Sequence, residues 1–150
     1  MDIRVDLLRI HSDMQFVVGT RLAADRHRAT IIYMEYYLNL VACLLTIAFG
    51  LFGFLAPRFT ATTLDLAPTR SNMGLSELRA SVGGLFVLSG VVAIFINNPI
   101  SYIMLGVAYS GAALGRLVSL AIDKPPVKKT SLFASIEAVL ALWLILGNVA

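Results

Sequence analysis

The chain alternates long apolar runs with short polar interruptions. The first run, Leu38 to Ala56, follows Tyr36 and Tyr37 and is closed by Pro57. A Thr-rich connection from Arg58 to Asn72 carries Pro68, and further apolar runs cover 78–96, 100–122 and 131–149. The last three are separated by Asn97-Asn98-Pro99 and by Asp123-Lys124-Pro125-Pro126. A bilayer core about 30 Å thick takes on the order of 20 apolar residues per helix, which these runs supply. The tyrosine pair suits the membrane interface, and the proline turns stop helices. The runs are continuous, not alternating, so they read as helices and not as barrel strands. The expected fold is all-α, an integral membrane four-helix bundle running up-down-up-down, with spans at 38–56, 78–96, 100–122 and 131–149.

Residues 1–33 have a different pattern, and two readings of them stay open. Ile3, Leu7, Ile10, Met14 and Val17 recur at helical spacing with Arg4, Asp6, Arg9 and Asp13 between them. That describes an N-terminal amphipathic helix lying on the membrane surface. Alternatively the tail is a start-site extension, and the working domain is 34–150, opening at Met34-Glu35-Tyr36-Tyr37. No apolar core precedes residue 31, so a secretory signal is not expected.

Composition narrows the class. With 58% apolar and 14% charged residues and a mean hydropathy of +0.81, a disordered chain, an ordinary soluble enzyme and a disulfide-stapled module are excluded. The lone Cys43 lies inside an apolar run and is read as packing material. The formal charge of +3 comes without a basic patch interleaved with aromatics, so the expected partner is the lipid bilayer and not nucleic acid. Arg58, Arg70, Lys124, Lys128 and Lys129 mark the loops 57–77 and 123–130 as cytoplasmic, leaving the C-terminus outside. The five arginines of the tail argue against that orientation, because they favour keeping the tail inside as well.

Small residues recur along the spans. Ser76, Ala80 and Gly84 stand four apart beside Gly83 and Gly90; Gly111-x-x-x-Gly115 continues to Ser119, with Gly106 and Ser110 one turn earlier; Ala134, Ala138 and Ala141 follow. Such stripes let helix backbones approach in lipid. They serve either a dimer face or packing within one bundle, and their presence on several helices favours the second.

The charges within spans form the candidate site. Arg116 stands seven residues before Asp123, and Glu137 seven after Thr130. At 1.5 Å per residue both lie about 10 Å from the same turn, so an antiparallel hairpin would bring them to equal depth as a salt bridge. Glu77 and Arg79 open the second span on the same side, and opposite signs suggest Glu77 toward Arg116 and Arg79 toward Glu137. The four would make a neutral, buried network that Tyr109 and Ser110 extend. Glu77 would equally suit the N-terminus of its own helix, with Gly74 as cap. A clamp holding the bundle is the favoured use; a polar pocket for a headgroup, small solute or proton is the alternative.

Little else carries chemistry. His11 and His27, the two histidines, both lie in the tail, and no phosphate loop, nucleophile elbow or HExxH motif occurs. No catalytic residue, cofactor or metal is expected.

The stretch Gly74-Leu-Ser-Glu-Leu-Arg-Ala-Ser-Val-Gly-Gly84, with Gly115-Arg116 and the Phe133 to Glu137 helix, resembles a bacterial family of uncharacterised four-span membrane proteins, distantly of DoxX type. The likeness covers about residues 36–149. It implies the fold, a multi-pass place in the bacterial inner membrane, and the positions Glu77, Arg79, Gly83, Gly84, Arg116 and Glu137. It implies no substrate. The leading expectation is a non-enzymatic accessory or scaffold subunit, within a larger membrane complex or as a homo-oligomer. The alternatives are a protein handling a small solute, lipid or proton through the charged cluster, and an envelope host factor such as a phage-infection protein.

Overall fold

The structure, a computed structural model, describes the backbone of residues 3–67 and 71–149 and the side chains of 21, 22, 25–67 and 71–149. The proposed tail stripe (Ile3, Leu7, Ile10, Met14, Val17) and Arg70 therefore lie outside the described side chains. The described residues are all helical or in turns, with no strand among them. Helix α1 runs Ile3–Leu55, α2 Pro57–Thr63 and α3 Met73–Glu77. A π-helical segment, Leu78–Leu85, leads into α4 Phe86–Ile96, followed by α5 Pro99–Ile122 and α6 Val127–Leu146. Among the described residues four stretches are long and apolar enough to cross a membrane: Asp25–Leu55, Met73–Ile96, Pro99–Ile122 and Val127–Leu146. The chain is a small multi-pass membrane protein.

The chain divides into a unit Met1–Leu38 and a unit Asn39–Ala150. In the first, the Thr30 hydroxyl donates to the Arg26 carbonyl at 2.9 Å, and the Tyr36 and Tyr37 rings meet edge to face at 5.5 Å. The second holds the core and the candidate site.

Local chemistry explains the element boundaries. Pro57 stops α1 and opens α2, where its missing N–H costs nothing. Within α2 the Thr60 and Thr62 hydroxyls bond back to the carbonyls of Ala56 at 3.2 Å and Arg58 at 3.0 Å. A helix was not expected in this polar connection, and Asp65 closes it in a left-handed conformation (φ 58°). At the next turn Asn97 is left-handed (φ 47°), and the Asn98 side chain accepts from the Ile100 N–H at 2.9 Å, with Pro99 at the first helical position. Helix α6 begins at Val127, directly after Pro125-Pro126, and ends at Leu146. The span expected at 131–149 is thus displaced toward the turn.

Helix contacts run through glycine, only partly at the expected positions. A Cβ on Gly83 would lie 2.6 Å from the Phe54 nitrogen, one on Gly53 2.9 Å from the Gly83 nitrogen, and one on Gly50 2.8 Å from the Val87 nitrogen. Backbone thus touches backbone where α1 crosses the π-helical segment and the start of α4. Gly90 packs on Cys43 and Ile47, and Gly106 on the Leu144 and Ile145 side chains. Gly111 and Gly115, by contrast, have no neighbour within 4 Å, Ala80 is exposed, and Gly84 touches only the Phe54 ring and the Arg79 carbonyl. The third-span stripe thus packs within the bundle at Gly106 but, against expectation, not at Gly111 and Gly115. Helix α5 buries Tyr102, Leu105, Gly106, Tyr109 and Ala113, and two residues on from Tyr109 is a turn of about 200° to the opposite face.

The core joins α1, α4, α5 and α6 around Cys43, Ala93, Tyr102, Leu105, Tyr109, Ala141 and Leu144. Cys43 is fully buried, as packing material should be. Asn39 and Asn148 exchange amide bonds at 2.7 and 3.1 Å, tying α1 to the residues just past α6.

Candidate functional site

Helices α5 and α6 form the hairpin that brings Arg116 to Glu137. The Arg116 Nε–H is shared between both carboxylate oxygens, at 2.9 Å to Oε1 and 2.8 Å to Oε2. Side-chain exposure is 31% for Arg116 and 14% for Glu137. The guanidinium also lies over the Phe133 ring, 5.0 Å from its centroid, one turn before Glu137. Among the described residues its two terminal amino groups have no acceptor.

The rest of the expected network does not form. Glu77 is exposed and makes no ion pair among the described residues; its carbonyl accepts from the Ser81 hydroxyl at 2.6 Å. Arg79 donates through Nη1 to the Phe54 carbonyl instead of reaching Glu137. The cause is local: the glycine contact holds the π-helical segment against the end of α1. There the last carbonyls lack helical partners and attract a cation. No charged residue among the described residues is fully buried, so the expected buried four-charge network is replaced by one half-buried pair. Ser110 bonds to its own helix at the Gly106 carbonyl, 3.0 Å away. Tyr109 turns to Thr46, hydroxyl to hydroxyl at 2.8 Å. Thr46 directs its single proton to the Ala42 carbonyl at 2.8 Å, so Tyr109 is the donor.

Two adjoining cavities flank the pair. The outer one, about 550 Å³, is lined by Arg116, Ser119, Lys129 and Thr130 together with Asp65 and the two prolines of the α5–α6 turn. Here Lys129 pairs with Asp65 at 2.8 Å, which sets the loop after α2 beside the α5–α6 turn. The inner one, about 440 Å³, takes Phe49, Phe52, Phe59, Phe86 and Phe133, five of the chain's eight phenylalanines, with Tyr109, Arg116 and Glu137. Leu64, Ala112, Arg116 and Phe133 line both. A third hollow, about 650 Å³, holds Arg58 and Arg79 with Leu55, Phe59 and Leu75. Among the described residues no cluster of three His, Cys, Asp or Glu stands close enough to hold a metal ion.

Sequence reasoning did not single out the phenylalanines, the Lys129–Asp65 pair, Gly50 and Gly53, or the Asn39–Asn148 bridge. The last two left a signal: Gly50-x-x-Gly53 is itself a small-residue repeat, and Asn39 is a lone amide within an apolar run.

Comparison with protein families adds the relationship. A family model described as a domain of unknown function (DUF4345) matches residues 36–147, and the chain belongs to that family. No curated protein and no solved structure matches the chain.

Proposed function

We propose that this is a non-enzymatic protein of the bacterial inner membrane that binds a small amphipathic molecule beside Arg116 and Glu137. In this reading loops 57–77 and 123–130 face the cytoplasm. What supports binding is that Arg116 lines both an outer cavity, which also holds Lys129, Ser119 and Thr130, and an inner one rich in phenylalanine, where Glu137 joins it. Small-molecule sites occupy about 300–1,000 Å³ and combine mostly apolar walls with a few placed polar groups. The inner cavity, at about 440 Å³, meets both conditions. An ionisable residue within a span is costly and characteristically marks a ligand path.

A second reading, an accessory subunit in a larger complex, is favoured by one observation. A Cβ on Gly111 would meet nothing within 4 Å, so another helix has room for close backbone approach there. Native mass spectrometry of the full chain in mild detergent separates the two. Binding predicts a retained amphiphile that is lost in Ala112→Leu, which narrows both cavities, while the thermal midpoint is kept. A stoichiometric larger partner with no bound amphiphile overturns the binding reading in favour of the accessory role.

A further inference from the structure

We infer that the molecule bound at this site carries an oxyanion head, a carboxylate or phosphate, which docks on Arg116 from the outer cavity while its chain enters the phenylalanine-lined one. The inference rests on the proposed function and names its ligand class.

A guanidinium carries five N–H donors in a planar fork. Here one of them, on Nε, serves both oxygens of Glu137, and the four on the terminal nitrogens have no acceptor among the described residues. The Arg116 side chain is 31% exposed and lines both cavities, so those donors are open to a ligand there. The fork matches the two oxygens of a carboxylate or phosphate, and that bidentate pairing is the strong form of the contact. The Nε-on approach of Glu137 leaves that edge of Arg116 unused.

The surroundings favour the same class. Arg116 lines both cavities. Lys129, Ser119 and Thr130 add a second cation and hydroxyl donors on the outer side. Lys129 is held only by an exposed pair with Asp65, a weak contact that a ligand anion can share. Lys124, Lys128 and Arg58 stand exposed on the same side against the acid Asp123, an excess of cations that favours anions. Beyond Arg116 a chain meets five phenylalanines with Val82, Ile136 and Leu140, a lining that is mostly hydrocarbon.

The test uses the full chain in dodecyl maltoside with three probes that share one chain: oleate, oleyl phosphate and oleyl alcohol. Each is titrated while the thermal midpoint is followed. Both anions are expected to bind at least tenfold more tightly than the alcohol, and a preference between them identifies the head. The double variant Arg116→Gln/Glu137→Gln, which leaves a neutral polar pair and removes the guanidinium, is expected to lose that preference. Lys129→Gln, on the exposed outer side, is expected to weaken the anions about threefold and leave the alcohol unchanged. Equal binding of anions and alcohol overturns the oxyanion head and leaves amphiphile binding standing. No saturable binding of any probe overturns both. An anion preference that survives in the double variant removes Arg116 as the anchor and overturns the inference.

Discussion

The Arg116–Glu137 pair predicts a specific pattern of stability losses. The contacts are short, at 2.8 and 2.9 Å, and the side chains are 31% and 14% exposed. Fully exposed pairs contribute about 0.2–1 kcal/mol, whereas removing one partner of a buried pair costs about 3–5 kcal/mol. This pair lies between those limits, closer to the buried one at its glutamate. Glu137→Gln and Arg116→Gln should each cost about 2 kcal/mol, because each leaves a charge without its counter-ion. The double variant should cost only about 1 kcal/mol, since two amides can bond to each other, giving a coupling of about 3 kcal/mol. Cys43, fully buried and the only cysteine, supplies the readout: a thiol-reactive dye reports its exposure as the protein unfolds in mixed micelles. Single losses that simply add in the double variant would refute the pairing, as would two single variants with unchanged stability.

Two further predictions use the same readout. Gly83→Ala places a methyl 2.6 Å from backbone, so the crossing helices must part by several tenths of an ångström, a strain of about 1–3 kcal/mol against a helix-propensity gain of about 1. Gly111→Ala meets nothing within 4 Å and should leave the midpoint unchanged or raise it; equal losses at both positions would contradict the crossing described. Asn148→Ala strands the amide of Asn39, which is 3% exposed, and should cost about 1–2 kcal/mol, most of it recovered when both residues become leucine. A single variant as stable as wild type would show that the amide bridge contributes nothing.

The sequence makes the Arg116–Glu137 pair legible because depth in a hairpin is arithmetic. Equal residue counts from one turn put two side chains at one level whatever the packing. The partners assigned to Glu77 and Arg79 rested instead on matching opposite signs, which carries no direction, and the π-helical segment from Leu78 winds with a wider turn than an α-helix. Arg79 consequently arrives at the end of α1. The Gly111 stripe fails for a related reason: a small-x-x-x-small pattern shows that one face is smooth, not which way it points. The phenylalanine cavity left no pattern at all, because aromatic residues facing lipid and those facing a cavity read alike in a chain that is apolar everywhere. Only three-dimensional proximity separates Phe52 and Phe86, on the cavity wall, from Phe95, which is 90% exposed.

Geometry also bears on whether the pair is a clamp or a site. A clamp between two helices gains most from a fork-to-fork contact, with two parallel N–H bonds to two oxygens. The observed contact spends a single N–H on both carboxylate oxygens and leaves the terminal nitrogens to the cavities. Arg116 is held in place by Glu137 from one edge and by the Phe133 face from another, with its remaining edge unspent. That is the arrangement of a cation oriented for a third group. The same contact still closes the α5–α6 hairpin, so holding the fold and presenting a donor edge are one geometry. Loss of Glu137 would therefore disturb both fold and binding, whereas loss of Lys129, which gives up only an exposed pair, should disturb binding more than the fold.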